Sequence, residues 1–240
     1  MEIECYVTVM SDDLPLLISV SGTLGSGKDY VAENLLLPLI SNSVSKMAFA
    51  DHIKINVASQ DPDVSLRQCL EGDKSTELRR KLQIAGTEKG RDLYGPNIWV
   101  TTLENWIRLR RLRDRTPDVV LVTDCRFPNE AKWIEDNGGL LIRIHAPSRN
   151  VFALKRESGG CSDAYEAIKG HISETALDDY PFKYIVNNEP EFQLTVGHQI
   201  LEIVKMYIND HLDRSNCFQI PIKRLIEPET VTFKKRKCST

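Results

Sequence analysis

The stretch Gly22-Thr-Leu-Gly-Ser-Gly-Lys28-Asp29 constrains this chain more than any other feature. It fits the pattern G-x-x-x-x-G-K, and it sits where that pattern has a mechanism. Before it, residues 14–21 (LPLLISVS) form an apolar run that reads as a buried strand. After it, residues 27–40 place Val31, Leu35 and Leu39 at i, i+4 and i+8, the spacing of one helix face. Glycines between a strand and a helix let successive backbone amides curl inward toward a phosphate. The start of the helix adds partial positive charge, and Lys28 adds a full one. The residues placed around a bound triphosphate are therefore Gly22, Gly25, Ser26, Gly27, Lys28, Asp29 and Tyr30. A glycine-rich turn without a ligand is the alternative.

Asp29 departs from the usual pattern, which has Ser or Thr after the lysine to meet Mg²⁺. A carboxylate beside a polyphosphate is repelled unless a cation lies between them, and a hard divalent ion suits that place. Asp29 is thus read as helping to place Mg²⁺ or to organise the acceptor. The plainer reading is an acid favoured by the helix dipole.

The rest of the chain alternates strand and helix patterns. Strands are expected at 47–50, 119–124, 140–145 and 183–186, and helices at 52–59, 76–91, 97–114, 129–137 and 190–211. Residues 60–75 read as a loop or loosely helical excursion, and 146–172 as a mobile insertion. The order calls for one α/β domain over 1–212, a parallel sheet with helices on both faces, and a polar tail at 213–240. The tail's Lys234-Lys-Arg-Lys237 reads as a solvated end, with a nuclear import signal or a polyanion contact as the sharper alternative.

Charge bears on partners. The 31 basic and 34 acidic residues give a net −3, without the positive excess of a protein that binds duplex nucleic acid or anionic membranes. The first thirteen residues carry four acids and no basic residue, unlike an export signal, and the six cysteines are scattered without a Cys-x-x-Cys pair. The expectation is a chain of a reducing, cytoplasmic compartment.

Two further constellations carry chemistry. Asp124-Cys-Arg126-Phe-Pro-Asn-Glu130 follows the apolar run 119–123, and ligands of open parallel sheets collect at such strand ends. Asp124 is placed near the metal, Arg126 as a bidentate phosphate clamp, and Glu130 one turn on, facing the same cleft. A self-contained ion network is the alternative. On the helix 76–91, Leu78, Leu82 and Ala85 make a core stripe, while Arg79, Gln83 and Gly86 lie about 100° further round, flanked by Arg80 and Thr87. By periodicity alone that edge is a solvated face. Trp99 and Trp106 share a spacing of seven and default to core packing, although an aromatic that stacks on a base would look the same.

Taken together, four blocks resemble the deoxynucleoside monophosphate kinases of large bacteriophages: SGTLGSGKD (21–29), RRKLQIAGTEKGRDLYGPNIWV (79–100), VVLVTDCRFPNEAKWIEDNGGLLIRIH (119–145), and HISE (171–174) with IVNNE (185–189). The Gly-Lys-Asp variant is part of that likeness. The resemblance implies a P-loop kinase fold and transfer of the γ-phosphoryl group of ATP, with Mg²⁺, to a deoxynucleoside 5′-monophosphate. It implies a donor-phosphate and catalytic set of Ser26, Gly27, Lys28 and Asp29, and an acceptor site lined by Arg79, Arg80, Gln83, Gly86, Thr87 and Trp99. Asp124, Arg126 and Glu130 would stand beside the reacting phosphates, with Asp29 and Asp124 toward the metal. His171 and Glu174 belong to a matching block without a physical role at this stage. Animal phosphomevalonate kinases resemble the same family, so a non-nucleotide acceptor is the rival reading, and a nucleotide-dependent switch is a third. A basic residue of the insertion (Arg149, Lys155 or Arg156) closing over the site to exclude water is one reading of that segment, and a disordered surface loop is the other. A homodimer is compatible with this picture, and a viral source would place the chain in the host cytoplasm.

Overall fold

A computed structural model describes residues 14–40, 43–70, 74–113, 117–149, 170–192 and 194–212. Five strands, β1 (Leu16–Ser21), β2 (Val44–Met47), β3 (Val119–Cys125), β4 (Leu140–His145) and β5 (Tyr184–Asn187), form one sheet in the order β2-β3-β1-β4-β5. Every pairing is parallel, with Leu16 opposite Val119 and Ile18 opposite Leu140. β1 is central, and all six of its residues are buried, which is why it reads as a continuous apolar run rather than an alternating one.

Alternate residues of the central strands feed opposite faces. Ile18 and Val20 of β1, Leu121 of β3 and Ile142 of β4 pack under the helical segment 28–39 and under the last helix, Val196–Leu212, which contributes Ile200 and Val204. Leu17, Val120, Val122 and Leu141 pack on the other face against Leu103 and Ile107 of the helix Ile98–Arg111 and Ile134 of the helix Pro128–Asp136. The α/β class and the helices on both faces are as the sequence implies. A smaller cluster of Val57, Val64, Cys69 and Leu78 joins the helices Asp51–Gln60, Leu66–Leu70 and Thr76–Gly86 beside the sheet.

Four differences from the expected elements have physical causes. The second strand is Val44–Met47, earlier than expected, because it is an edge strand with Lys46 exposed and ion-paired to Glu33, so its pattern is not a continuous apolar run. The helix expected over 76–91 continues through π-type turns at Thr87–Arg91 to Tyr94. Within the stretch read as a loop or loosely helical excursion, Leu66–Leu70 is a regular helical turn whose Cys69 reaches the small cluster. Finally, Pro190–Phe192 is a separate 3₁₀ turn, and the last helix starts only at Val196. Most of the expected insertion (150–169) and the basic tail (213–240) lie outside the described residues, as do Lys155 and Arg156. Among the described residues no helix is long and apolar enough to cross a membrane.

The helix Pro128–Asp136 returns to the sheet through Gly138 and Gly139. Gly138 takes φ 66°, the left-handed position that ends a helix. Gly139 faces a tighter limit, since a Cβ there would come within 2.8 Å of the carbonyl oxygens of Ile134 and Leu17. Both obstacles are backbone, so Gly139→Ala should cost about 1–3 kcal/mol by overpacking. Urea unfolding checks this as a lower midpoint with unchanged slope.

Candidate functional site

The end of β1 opens directly into the glycine loop. Ser26 N–H donates to the Thr23 carbonyl at 3.2 Å, closing the turn, and Gly25 and Gly27 adopt φ 80° and 86°. At Gly27 a side chain is excluded twice over: the backbone is left-handed, and a Cβ would stand 2.4 Å from Asn188 Nδ2. The helical segment 28–39 starts immediately afterwards, with Lys28 in its first turn. The Ser26 hydroxyl is buried and has no hydrogen-bond partner among the described residues. An orphaned hydroxyl inside a curl of amides is a place where an anion's oxygen fits.

Two side chains hold this curl from outside. Asn188, just past β5, donates from Nδ2 to the Ser26 carbonyl at 2.8 Å, and its own N–H is tied to His145 O at 2.8 Å. Glu174 accepts the Leu24 N–H at 2.9 Å through Oε2. Its other oxygen accepts from Arg126 Nη1, which also donates to the Ser173 carbonyl at 3.3 Å. Sequence reasoning left Glu174 without a role and did not single out Asn188. The signal was present in the HISE and IVNNE blocks, but the bonds join residues 150 and 162 positions apart.

Lys28 is 10% exposed and lies 3.8 Å from the carboxylate of Asp29, which is 68% exposed. Burial depresses the Lys28 pKa, and the nearby Arg126 charge adds to that, against the pull of Asp29, Glu174 and Asp124. Lys28 therefore lies within electrostatic reach of Asp29, Asp124, Glu174 and Arg126. Further cations gather near Asp29. Lys74 has its pKa lowered by burial and by the charges of Lys54 and Arg79, with Asp29 opposing. Lys54 ion-pairs with Asp51 at 2.9 Å. Neither Lys54 nor Lys74 was read as part of a site, because one looked like an ordinary helix surface residue and the other lay in the presumed loop. Arg149 also reaches the loop: its Nη1 donates to the Asn188 carbonyl at 3.2 Å and lies 3.9 Å from where a Gly27 Cβ would be.

Several expected site residues have their polar atoms committed to the protein itself. Asp124 accepts the N–H groups of Phe49 and Ala50 at 2.8 and 2.9 Å, stitching the end of β3 to the turn after β2. Burial raises its pKa, against the opposing effects of Lys54 and these two amides. Glu130 was expected to face the cleft. Instead it is 2% exposed, accepts the amides of Arg126 and Phe127 at 2.7 and 3.1 Å, and pairs with Arg91. Arg91 also donates to Pro96 O at 2.6 Å and lies over the Phe127 ring at 3.8 Å. Glu130 is thus a cap on its own helix and half of a buried ion pair. Trp99 is 6% exposed, donates its indole N–H to Gly86 O at 2.7 Å, and covers Gly90, where a Cβ would meet the ring at 2.3 Å. Core packing, its default role, is the one the structure shows, and it also uses Gly86. Arg79, Gln83 and Thr87 are half-buried, whereas Arg80, Tyr30 and Trp106 are exposed.

Mg²⁺ is tested by these same donors. Among the described residues no group of three or more His, Cys, Asp or Glu side chains could hold a metal ion. Mg²⁺ normally binds through one or two carboxylates plus substrate phosphates rather than in an all-protein cage. The exposed Asp29 carboxylate beside the loop fits that mode, whereas both Asp124 oxygens already accept amides.

No family model matches the chain. Over 114 residues, 45% of this chain, it is 32% identical to the deoxynucleoside-5′-monophosphate kinase of Escherichia phage T5, the kind of relative the sequence blocks suggested. The match spans 37% of that relative's length. Among solved structures, TT1252 from Thermus thermophilus aligns with 81% of this chain and 98% of its own at 16% identity and TM-score 0.49. A gluconokinase from Sinorhizobium meliloti aligns with 85% of this chain and 99% of its own at 15% identity and TM-score 0.46.

The Arg91–Glu130 pair generates a pH prediction. Burial pushes the Glu130 carboxyl up from 4.5 to about 7, with Arg91 working against that shift. Between those values the folded chain keeps a proton that the unfolded chain releases, so Glu130's contribution to stability is complete below 4.5 and is lost as pH rises toward 7. Arg91→Leu should cost about 3–5 kcal/mol at pH 8, where the carboxylate is left buried without its partner. The deficit should shrink toward pH 5, where protonation neutralises Glu130. Urea titrations of both proteins across that range check the sign.

Proposed function

We propose that this chain is a P-loop kinase that moves the γ-phosphoryl group of ATP to a deoxynucleoside 5′-monophosphate. The observation that carries the reading is a glycine loop whose Ser26 hydroxyl is buried with no hydrogen-bond partner among the described residues, followed at once by buried Lys28 and neighboured by half-buried Arg126. The likeness to the phage T5 kinase, over less than half of either chain, supports the choice of acceptor.

Phosphoryl transfer asks little covalent chemistry of a protein; it asks for positioning and for neutralisation of charge on the transferred group. In this reading the loop amides and the Ser26 hydroxyl hold the donor phosphates. Lys28 meets the β- and γ-oxygens, and Arg126 reaches the transferred group from the end of β3. Asp29 faces the donor from the exposed rim and would hold Mg²⁺ brought in with the nucleotide; the ion, when bound, neutralises phosphate charge. The acceptor lies toward Arg79, Arg80, Gln83 and Thr87, with Lys54 and Lys74 supplying the positive field that draws its phosphate in. Arg149 stands beside Gly27 as the described part of the expected covering segment. The site belongs to a single kinase unit over 1–212.

The decisive experiment is a coupled assay of ATP with each deoxynucleoside monophosphate and with phosphomevalonate. Turnover of at least one deoxynucleotide supports the reading; turnover of phosphomevalonate alone replaces the acceptor. ATP binding without transfer to any of them makes the loop a switch. Lys28→Ala should lower kcat by about 10²–10³-fold while leaving the melting temperature within a few degrees. Equal loss of activity and fold would remove Lys28 from the chemistry.

A further inference from the structure

Glu174 is an acid beside a loop built to receive anions, and that placement requires an explanation. Its side chain is 7% exposed and bridges the loop, through Leu24 N–H, and the residue just past β3, through Arg126. The short helix Ile172–Thr175 that carries it is fixed at both ends. His171 Nδ1 accepts the Ser173 N–H at 3.2 Å at its start, and Leu177, 2% exposed, enters the core just after it. Arg126 is gripped by one corner only. Both guanidinium hydrogen bonds leave from Nη1, and among the described residues Nε and Nη2 make none.

We propose that Glu174 is a positioning residue: it holds Arg126 by one edge, with the other edge presented to the transferred phosphate, and braces the phosphate loop through the Leu24 amide. This rests on the reading of the loop and Arg126 as phosphate-binding groups. The electrostatics agree. Burial and the neighbouring Arg126 charge lower the Lys28 pKa, and Glu174 is among the charges that offset this. Burial would raise the Glu174 carboxyl, but the Arg126 guanidinium, the Leu24 amide and Lys28 together hold the group below its ordinary range. Glu174 is therefore ionised at neutral pH. One anion beside two cations lets both stay charged and close before any phosphate arrives.

The test uses the full chain and three variants: Glu174→Gln, Arg126→Lys and the double. Gln keeps the size and a carbonyl for the Leu24 amide but loses the charge that orients Arg126. Glu174→Gln should lower kcat by about 10–100-fold and change the KM for ATP by less than about 3-fold. In the double variant the Gln substitution should add nothing to the effect of Arg126→Lys, because it acts through that guanidinium. Glu174→Asp, which keeps the charge, should recover part of the loss; it also carries the cycle if the Gln variant melts below assay temperature. Multiplying effects in the double variant, wild-type kinetics for Glu174→Gln, or an Asp variant no better than Gln would each overturn the inference. Affinity for ATP and for inorganic tripolyphosphate, measured by calorimetry on the same set, separates the two levels. Coupling of positions 126 and 174 in affinity without any acceptor turnover sinks the kinase reading and sustains the positioning role. Turnover with additive effects does the reverse, and a wild type that binds neither polyphosphate overturns both.

Discussion

A glycine loop that curls around a place for an anion closes only weakly on itself, through the Ser26 N–H to the Thr23 carbonyl, so its shape must also be held from outside. That constraint organises the structure around β1. The buried central strand delivers the glycine turn to the edge of the sheet, and two side chains from far along the chain then fix its shape: Asn188 on the Ser26 carbonyl and Glu174 on the Leu24 amide. The glycines permit the curl, but they do not enforce it. Gly27 in particular has a left-handed backbone that favours glycine, and the Asn188 amide packed against it leaves no room for a side chain.

The same economy applies to charge. The carboxylates that a sequence would place in a metal or nucleotide site are mostly spoken for by the fold. Asp124 ties the end of β3 to the turn before the helix Asp51–Gln60, and Glu130 caps its own helix while neutralising Arg91. Each is a second layer behind the cations that face the cleft. Asp29 is the one carboxylate of the expected set that stays largely in solvent, which is the condition a hard cation carried by a nucleotide requires.

How much of this was legible follows from the range of each interaction. The buried strands β1, β3 and β4 were readable because a strand paired on both sides is apolar throughout, and the glycine loop was readable because its residues are contiguous. β2 was misplaced because an edge strand needs only one buried face, and its Lys46 breaks the apolar run. The roles of Glu174 and Asn188 were unreadable for a different reason: their partners are on the opposite side of the domain's sequence, and only the sheet order, with β4 and β5 added on one side of β1, brings them back to the loop. Trp99 takes the core-packing role that its spacing favoured rather than the acceptor-site role that the resemblance implied, because the π-type turns and Gly90 make a seat for the indole.

The brace through Asn188 also has a temporal meaning. β1 and its loop leave the ribosome before the residue that closes the loop's far side, which is translated more than a hundred and fifty positions later. A nascent chain or a C-terminal truncation ending before β5 would carry the whole glycine signature and still lack its fastening. The familiar string of residues is thus a necessary part of the pocket, and its competence is conferred last.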